Sequence, residues 1–80
     1  MAGAHEFLVL HGSQASGRRL LARLSFRERE IVKLLYGIGH KHKYTLVGAA
    51  RVCNITRERV RAVRDKALTR LGEMIAGQVE

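Results

Sequence analysis

The chain has 80 residues, 46% of them hydrophobic but only 5% aromatic, with one cysteine, no proline and a formal net charge of +8 at pH 7. That length allows one domain with a modest, aliphatic core, and a single cysteine excludes an internal disulfide framework. The basic surplus marks a chain that seeks polyanions, yet its Lys and Arg residues fall in several short segments rather than along one amphipathic helix with bulky aromatics, which argues against a membrane surface. No stretch is long and apolar enough for a transmembrane span or a signal peptide, and the cysteine usage fits a reducing compartment, so cytoplasm is the expected location.

Little β-branched alternation occurs, and the patterning predicts an all-α fold: a small helical domain of four to five helices ending in a helix-turn-helix. Met1-Ala2-Gly3-Ala4-His5-Glu6-Phe7 looks like an appended leader ending in a cloning-site dipeptide. His11 to Gly17 is unpatterned, so residues 1–17 are expected to stand outside the fold as leader and flexible segment. The domain proper is expected over 18–76. It starts with a short basic helix carrying Leu20, Leu21 and Leu24 beside Arg18, Arg19 and Arg23. Ser25 with Glu28 three residues on is a capping-box pattern, opening a helix from about Phe26 to Tyr36 with Ile31, Leu34 and Leu35 as its buried stripe. Gly37 and Gly39 stop that helix, and Gly39 to Tyr44 is a polar loop. Thr45 caps a helix over about Leu46 to Val52. After a turn at Cys53-Asn54-Ile55, Thr56 caps the longest helix, reaching about Met74 with Val60, Val63, Ala67, Leu68, Leu71, Met74 and Ile75 on one face. Residues 77–80 are expected to fray.

Ala49, Ala50, Cys53, Ile55, Val60 and Val63 have the spacing of a helix-turn-helix, in which small residues stand where two helices cross and Asn54 suits a left-handed turn. Such a motif places its second helix in the DNA major groove. Here that helix opens Thr56-Arg57-Glu58-Arg59, and Arg57, Glu58, Arg61 and Ala62 point away from its apolar stripe. Arg holds the O6 and N7 edge of guanine with two hydrogen bonds and a carboxylate accepts from the amino group of cytosine, so the pair suits adjacent G·C pairs. Arg59, Arg64, Lys66 and Arg70 lie further round or along, where phosphates are the expected target. The competing reading is a solvated charged helix held by i,i+4 pairs such as Arg61 with Asp65.

Leu24-Ser25-Phe26-Arg27-Glu28-Arg29-Glu30, Tyr36-Gly37-Ile38, Tyr44-Thr45-Leu46, Thr56-Arg57-Glu58-Arg59-Val60-Arg61, Lys66-Ala67-Leu68 and Leu71 together resemble region four of a primary-type bacterial sigma factor, over about Leu24 to Leu71. The resemblance implies an all-helical domain that binds the promoter minus-thirty-five element in the major groove and grips the flap of the RNA polymerase β subunit through an apolar surface. It implies base reading by Arg57, Glu58 and Arg61, with Ala62 at a further base-reading position. Arg27, Leu46, Arg59 and Lys66 would meet the DNA backbone, and Lys33, Thr45 and Arg64 complete the expected backbone set. Leu20, Leu21, Leu24, Leu35, Leu71 and Ile75 are the expected partner-docking surface, being more leucine than so small a core easily buries. Expected partners are double-stranded promoter DNA, the polymerase core and an anti-sigma or activator protein; the isolated domain is expected to be a monomer.

The chain departs from that family in four places. Ala62 replaces a base-contacting Gln, and Leu35 a phosphate-contacting Arg. Val47-Gly48 replaces an acidic pair, which removes a capping box from that helix. A His-Pro segment after the last helix is missing. These departures keep open a second function, a protein-interaction module for the flap or an anti-sigma protein with degraded DNA recognition. A dimeric repressor is disfavoured, since nothing reads as a dimerisation arm. His5, His11, His40 and His42 match no closed zinc spacing, Cys53 reads as a small core residue, and no nucleophile–base pair or phosphate loop occurs, so neither enzyme activity, nor a metal, nor a cofactor is expected.

Overall fold

The computed structural model describes residues 3–79, arranged as five helices: α1 (Gly3–His11), α2 (Ala15–Leu21), α3 (Phe26–Tyr36), α4 (Leu46–Cys53) and α5 (Arg57–Val79). The caps form where the sequence puts them. Ser25 Oγ accepts from the Glu28 amide while Glu28 Oε1 accepts from the Ser25 amide, at 3.3 and 3.1 Å, completing the capping box of α3. Gly37 closes α3 in the left-handed region at φ 69°, and the Ile38 amide returns to the Lys33 carbonyl at 2.9 Å. Thr45 Oγ1 accepts from the Gly48 amide at 3.0 Å, so α4 keeps its cap without the acidic partner. Asn54 ends α4 at φ 57°, the left-handed turn between the two helices of the motif.

α5 is the axis of the molecule. Its 23 residues, at about 1.5 Å each, span most of the 39 Å long dimension. Two apolar clusters lie along it. Near its start, Val60 and Val63 pack with Ile31, Leu34, Ala49 and Ala50. Further along, Ala67 and Leu71 pack with Ala4, Leu8, Leu20, Leu21, Leu24, Val32 and Ile38. α3 serves both, through Ile31 and Leu34 on one side and Val32 on the other.

Three expectations need correction. Residues 3–17 are not a flexible leader: Gly3–His11 is helical, and Ala4 and Leu8 are buried in the second cluster with Phe7 packed beside them. The stretch to Gly17 is a tight corner instead of a mobile link. A Cβ on Gly17 would collide with the His11 carbonyl oxygen and stand 2.8 Å from Gly12 Cα, so glycine is what lets α1 and α2 meet. Residues 1 and 2 lie outside the described residues.

Second, Leu20, Leu21, Leu24 and Leu71 are not a docking surface. They are between 1% and 4% exposed, because α1 closes over them. Leu35 and Ile75 are half-buried, the first against the helix-turn-helix cluster and the second against its neighbour. Third, α5 continues past Met74 through Gly77 to Val79, and residue 80 is outside the described residues. Its extra turns rest on contacts of Leu68, Met74 and Ile75 with the cluster that α1 completes.

Candidate nucleic-acid interface

The tip of α5 is set by two backbone devices. The Ile55 amide bonds to the Ala50 carbonyl at 3.1 Å, folding the turn back onto α4. Thr56 Oγ1 accepts from the Arg59 amide at 3.1 Å, which satisfies a donor that the first helical turn leaves open. Val60, fully buried, and Val63 then pin the helix onto Ala49 and Ala50. With about 3.6 residues per turn, that anchorage directs positions 57, 58, 61 and 62 outward. Arg57, Glu58, Arg61 and Ala62 are all exposed, and the structure therefore presents the four expected base readers on one face.

The pairing on this helix leaves the key cation unengaged. Asp65 is held by Arg64, with Oδ1 accepting from Nη2 at 2.9 Å and Nε at 3.1 Å. The Arg61–Asp65 pair that would have made α5 an ordinary solvated helix does not form, and among the described residues Arg61, Arg59 and Lys66 hold no carboxylate. Arg57 and Glu58 approach to 3.7 Å with both side chains largely solvated, an interaction weak enough for either to exchange for a base edge.

Of the expected backbone contacts, Arg27, Arg59 and Lys66 converge. With Ser25, Glu28, Ala62 and Val63 they line a concavity of about 240 Å³ between the start of α3 and the flank of α5. Thr45 and Leu46 lie at the start of α4, where the Thr45 hydroxyl is engaged as a cap and Leu46 packs on the helix-turn-helix cluster. Lys33 and Arg64 are not brought to this concavity. Lys33 lies with Arg18 and Arg29 around Ile38 and Gly39, on the side of α2. Arg64 turns to Asp65 and lies close enough to Tyr36 to offset part of the rise that burial imposes on the Tyr36 hydroxyl pKa.

One expected phosphate contact is structural. Arg70 donates through Nη1 to Glu28 Oε1 at 2.7 Å, tying the middle of α5 to the first turn of α3. Burial pushes the Glu28 carboxyl up, but the amide and side chain of Ser25 and the charges of Arg70 and Lys66 outweigh it and hold the group below its ordinary value. The Glu28 carboxylate thus fixes the α3 end that carries Arg27 against the α5 flank that carries Arg59 and Lys66. Sequence reading found the cap but not the partner 42 residues away. Cys53 is half-buried against the helix-turn-helix cluster, and among the described residues no group of His, Cys, Asp and Glu could hold a metal ion.

Residues 20–73 match the model of the Sigma-70, region 4 family. The chain belongs to that family. Its sigma-factor relatives include the RNA polymerase sigma-C factor of Nostoc sp. (strain PCC 7120), 36% identical over 82% of this chain and 16% of that protein. The RNA polymerase sigma factor SigA of the same organism is 40% identical over 66% of this chain and 14% of its own length. The sigma factor RpoS of Coxiella burnetii is 39% identical over 71% of this chain and 16% of its own. The chain thus spans about a sixth of the length of these relatives. No solved structure matches it. A sigma-70 region 4 is a DNA-binding helix-turn-helix of the transcription-initiation machinery and not a member of a known enzyme family. No described helix is long and apolar enough to cross a membrane.

Proposed function

We propose that this region 4 reads the promoter minus-thirty-five element, with the first turn and a half of α5 in the major groove and α4 crossing the phosphate backbone. The observation that carries the reading is the unengaged, outward Arg61 beside Arg57 and Glu58, over a flank where Arg27, Arg59 and Lys66 converge. Arg61 and Arg57 supply bidentate donors for guanine, and Glu58 accepts from cytosine. Ala62 offers only a methyl group, suited to apolar contact with thymine, so discrimination at its base pair is looser. Arg27, Arg59 and Lys66 neutralise phosphates and set register.

Contact with the RNA polymerase core, including the β-subunit flap, belongs to the same proposal on the strength of the sigma-factor relatives. Of Leu20, Leu21, Leu24, Leu35, Leu71 and Ile75, only Leu35 and Ile75 are more than marginally exposed. The alternative in which the domain is chiefly a protein-docking module loses the leucine surface offered for it with the burial of Leu20, Leu21, Leu24 and Leu71, and rests on the departures at Leu35, Val47, Gly48 and Ala62.

Titration of Arg61→Ala and Lys66→Ala against duplexes with and without the element tests the assignment. Arg61→Ala is expected to cost about 1–3 kcal/mol on the preferred duplex and to flatten preference at one base pair. Lys66→Ala is expected to weaken all duplexes alike and lower the salt slope by about one. Equal weakening of specific and scrambled duplexes by Arg61→Ala would remove it from the base readers.

A further inference from the structure

From Ile31 to Arg57 the chain carries no Asp or Glu, and within that span His40-Lys41-His42-Lys43 forms an unbroken basic run. All four residues are exposed. The loop is nonetheless held in place. Tyr44 packs its ring against both imidazoles, with centroids 4.5 Å from His42 and 5.6 Å from His40, and its amide bonds to the Leu34 carbonyl at 2.9 Å. At the other side Gly37, in the left-handed region, lets the chain fold back so closely that a Cβ there would stand 3.3 Å from the His42 carbonyl.

The position of this run follows from the length of α4. Eight residues at about 1.5 Å each make α4 about 12 Å long, close to the width of about 12 Å of the DNA major groove. The end of α4 at Asn54 feeds the tip of α5, so on the proposed docking, with α5 in the groove and α4 crossing the phosphate backbone, its other end at Thr45 lies toward the phosphates that border the groove. The loop 40–43 adjoins that end.

We infer that His40, Lys41, His42 and Lys43 form a phosphate-binding extension of the DNA interface, gripping the backbone beyond the base-reading contacts, and that the two histidines make this grip stronger in mild acid. The inference rests on the reading of the domain as a DNA binder. Lys41 and Lys43 supply permanent charge. Histidine is the side chain that gains charge between about pH 8 and 5. His42 Nδ1 lies 3.0 Å from the Lys43 carbonyl, an acceptor only, so Nδ1 carries the hydrogen and protonation adds a second N–H at Nε2. Among the described residues Lys41 and Lys43 form no salt bridge, and the charged groups that line the cavity at Gly39 are the cations Lys33, Arg18 and Arg29. Glu58, the next carboxylate along the chain, stands at the tip of α5 beside Arg57. A phosphate is therefore the counter-charge this loop lacks.

The test uses the 80-residue chain and labelled duplexes that extend a full turn beyond the minus-thirty-five element, with Kd measured against salt at about pH 5.8 and about pH 8. Each phosphate neutralised adds about 0.9 to the slope of log affinity against log salt. The wild type is expected to show a slope steeper by up to about 1.8 at the lower pH, on specific and scrambled duplexes alike. H40Q/H42Q is expected to abolish that difference; K41Q/K43Q is expected to lower the slope by up to about 1.8 at both pH values. Helicity and melting temperature establish that both variants fold. A double-histidine variant that keeps the wild-type pH difference, or a double-lysine variant that keeps the full slope, overturns the inference and leaves the run to an acidic protein partner. If the wild type shows no preference for the element over a scrambled duplex, base reading fails, while the slopes still decide the loop.

Discussion

The two ends of α5 are packed by different means. At the helix-turn-helix end the helices start on hydroxyl caps, Ser25, Thr45 and Thr56, and cross through Ala49 and Ala50 against two valines. At the other end Gln14 gives α2 no side-chain cap, the corner between α1 and α2 depends on glycines, and the filling is leucine: Leu8, Leu20, Leu21, Leu24 and Leu71. The first end is built from short-range rules and leaves a polar face to meet DNA. The second depends on the fit between α1, α2 and α5, and it steadies the long helix whose tip carries the proposed base readers. The proposed recognition and its support thus occupy opposite ends of a single helix.

The largest expected effects test whether the supporting end is as integral as the reading end. Ile31 has no exposed surface and Leu8 is 3% exposed, so truncating either to alanine removes buried methyl groups and leaves a cavity. Ile31→Ala and Leu8→Ala are each expected to cost about 2–5 kcal/mol in chemical denaturation, within one cooperative transition. A cost for Leu8→Ala of only a few tenths would place α1 outside the cooperative unit and break the comparison. DNA discrimination by Leu8→Ala, measured well below its unfolding midpoint, is expected to stay at the wild-type level.

The joint between the two ends is the Glu28–Arg70 contact with its capping box, and Glu28→Ala is expected to cost about 1–3 kcal/mol. The partial exposure of Arg70 keeps its share small through solvent screening, so most of the loss comes from the cap. Acid sharpens the point. Because the folded carboxyl is held below its ordinary value, its contribution is fully present above the ordinary carboxylate pKa and is lost as pH falls through the lowered one. Wild-type stability is therefore expected to drop on acidification below about pH 4.5 more steeply than that of Glu28→Gln. Parallel pH profiles for the two proteins would show that Glu28 does not link the helices electrostatically.

The same division explains what could be read from the chain. The boundaries of α3, the Thr45 and Thr56 caps, the left-handed Asn54 and the outward set Arg57, Glu58, Arg61 and Ala62 all follow from neighbours within a few residues, and those features appear where expected. α1 is hidden because Met1 to Phe7 looks like an appended leader, and because its buried pair, Ala4 and Leu8, is followed by the exposed Val9 and Leu10, which blur the apolar stripe. Gly12 and Gly17 looked like flexibility when they are a close approach. With α1 unseen, four buried leucines read as surplus surface. The Glu28–Arg70 bond and the separation of Lys33 and Arg64 from the basic concavity depend on how α3 is rotated against α5, which no local spacing encodes.

The smallest expected effect is a gain, and it concerns the supporting half of α5. Gly72 sits in the interior of this helix, where glycine costs backbone entropy that alanine does not. A Cβ built at Gly72 meets nothing within 4 Å, and the residue has no positive φ, so alanine fits without strain. Gly72→Ala is expected to stabilise the domain by about 0.5–1 kcal/mol, raising its melting temperature while leaving DNA affinity and salt slope unchanged. The position makes the experiment discriminating. Gly72 lines the apolar groove between α5 and the start of α1, with Ala4, Leu68 and Ala76 around it. A methyl group there adds helix propensity without touching the reading tip, some three turns away along α5. If stability rises and DNA binding holds, the far half of α5 serves only to support the tip. If Gly72→Ala raises stability but weakens binding to the minus-thirty-five duplex, the two ends are mechanically coupled, and the far half of α5 takes part in recognition.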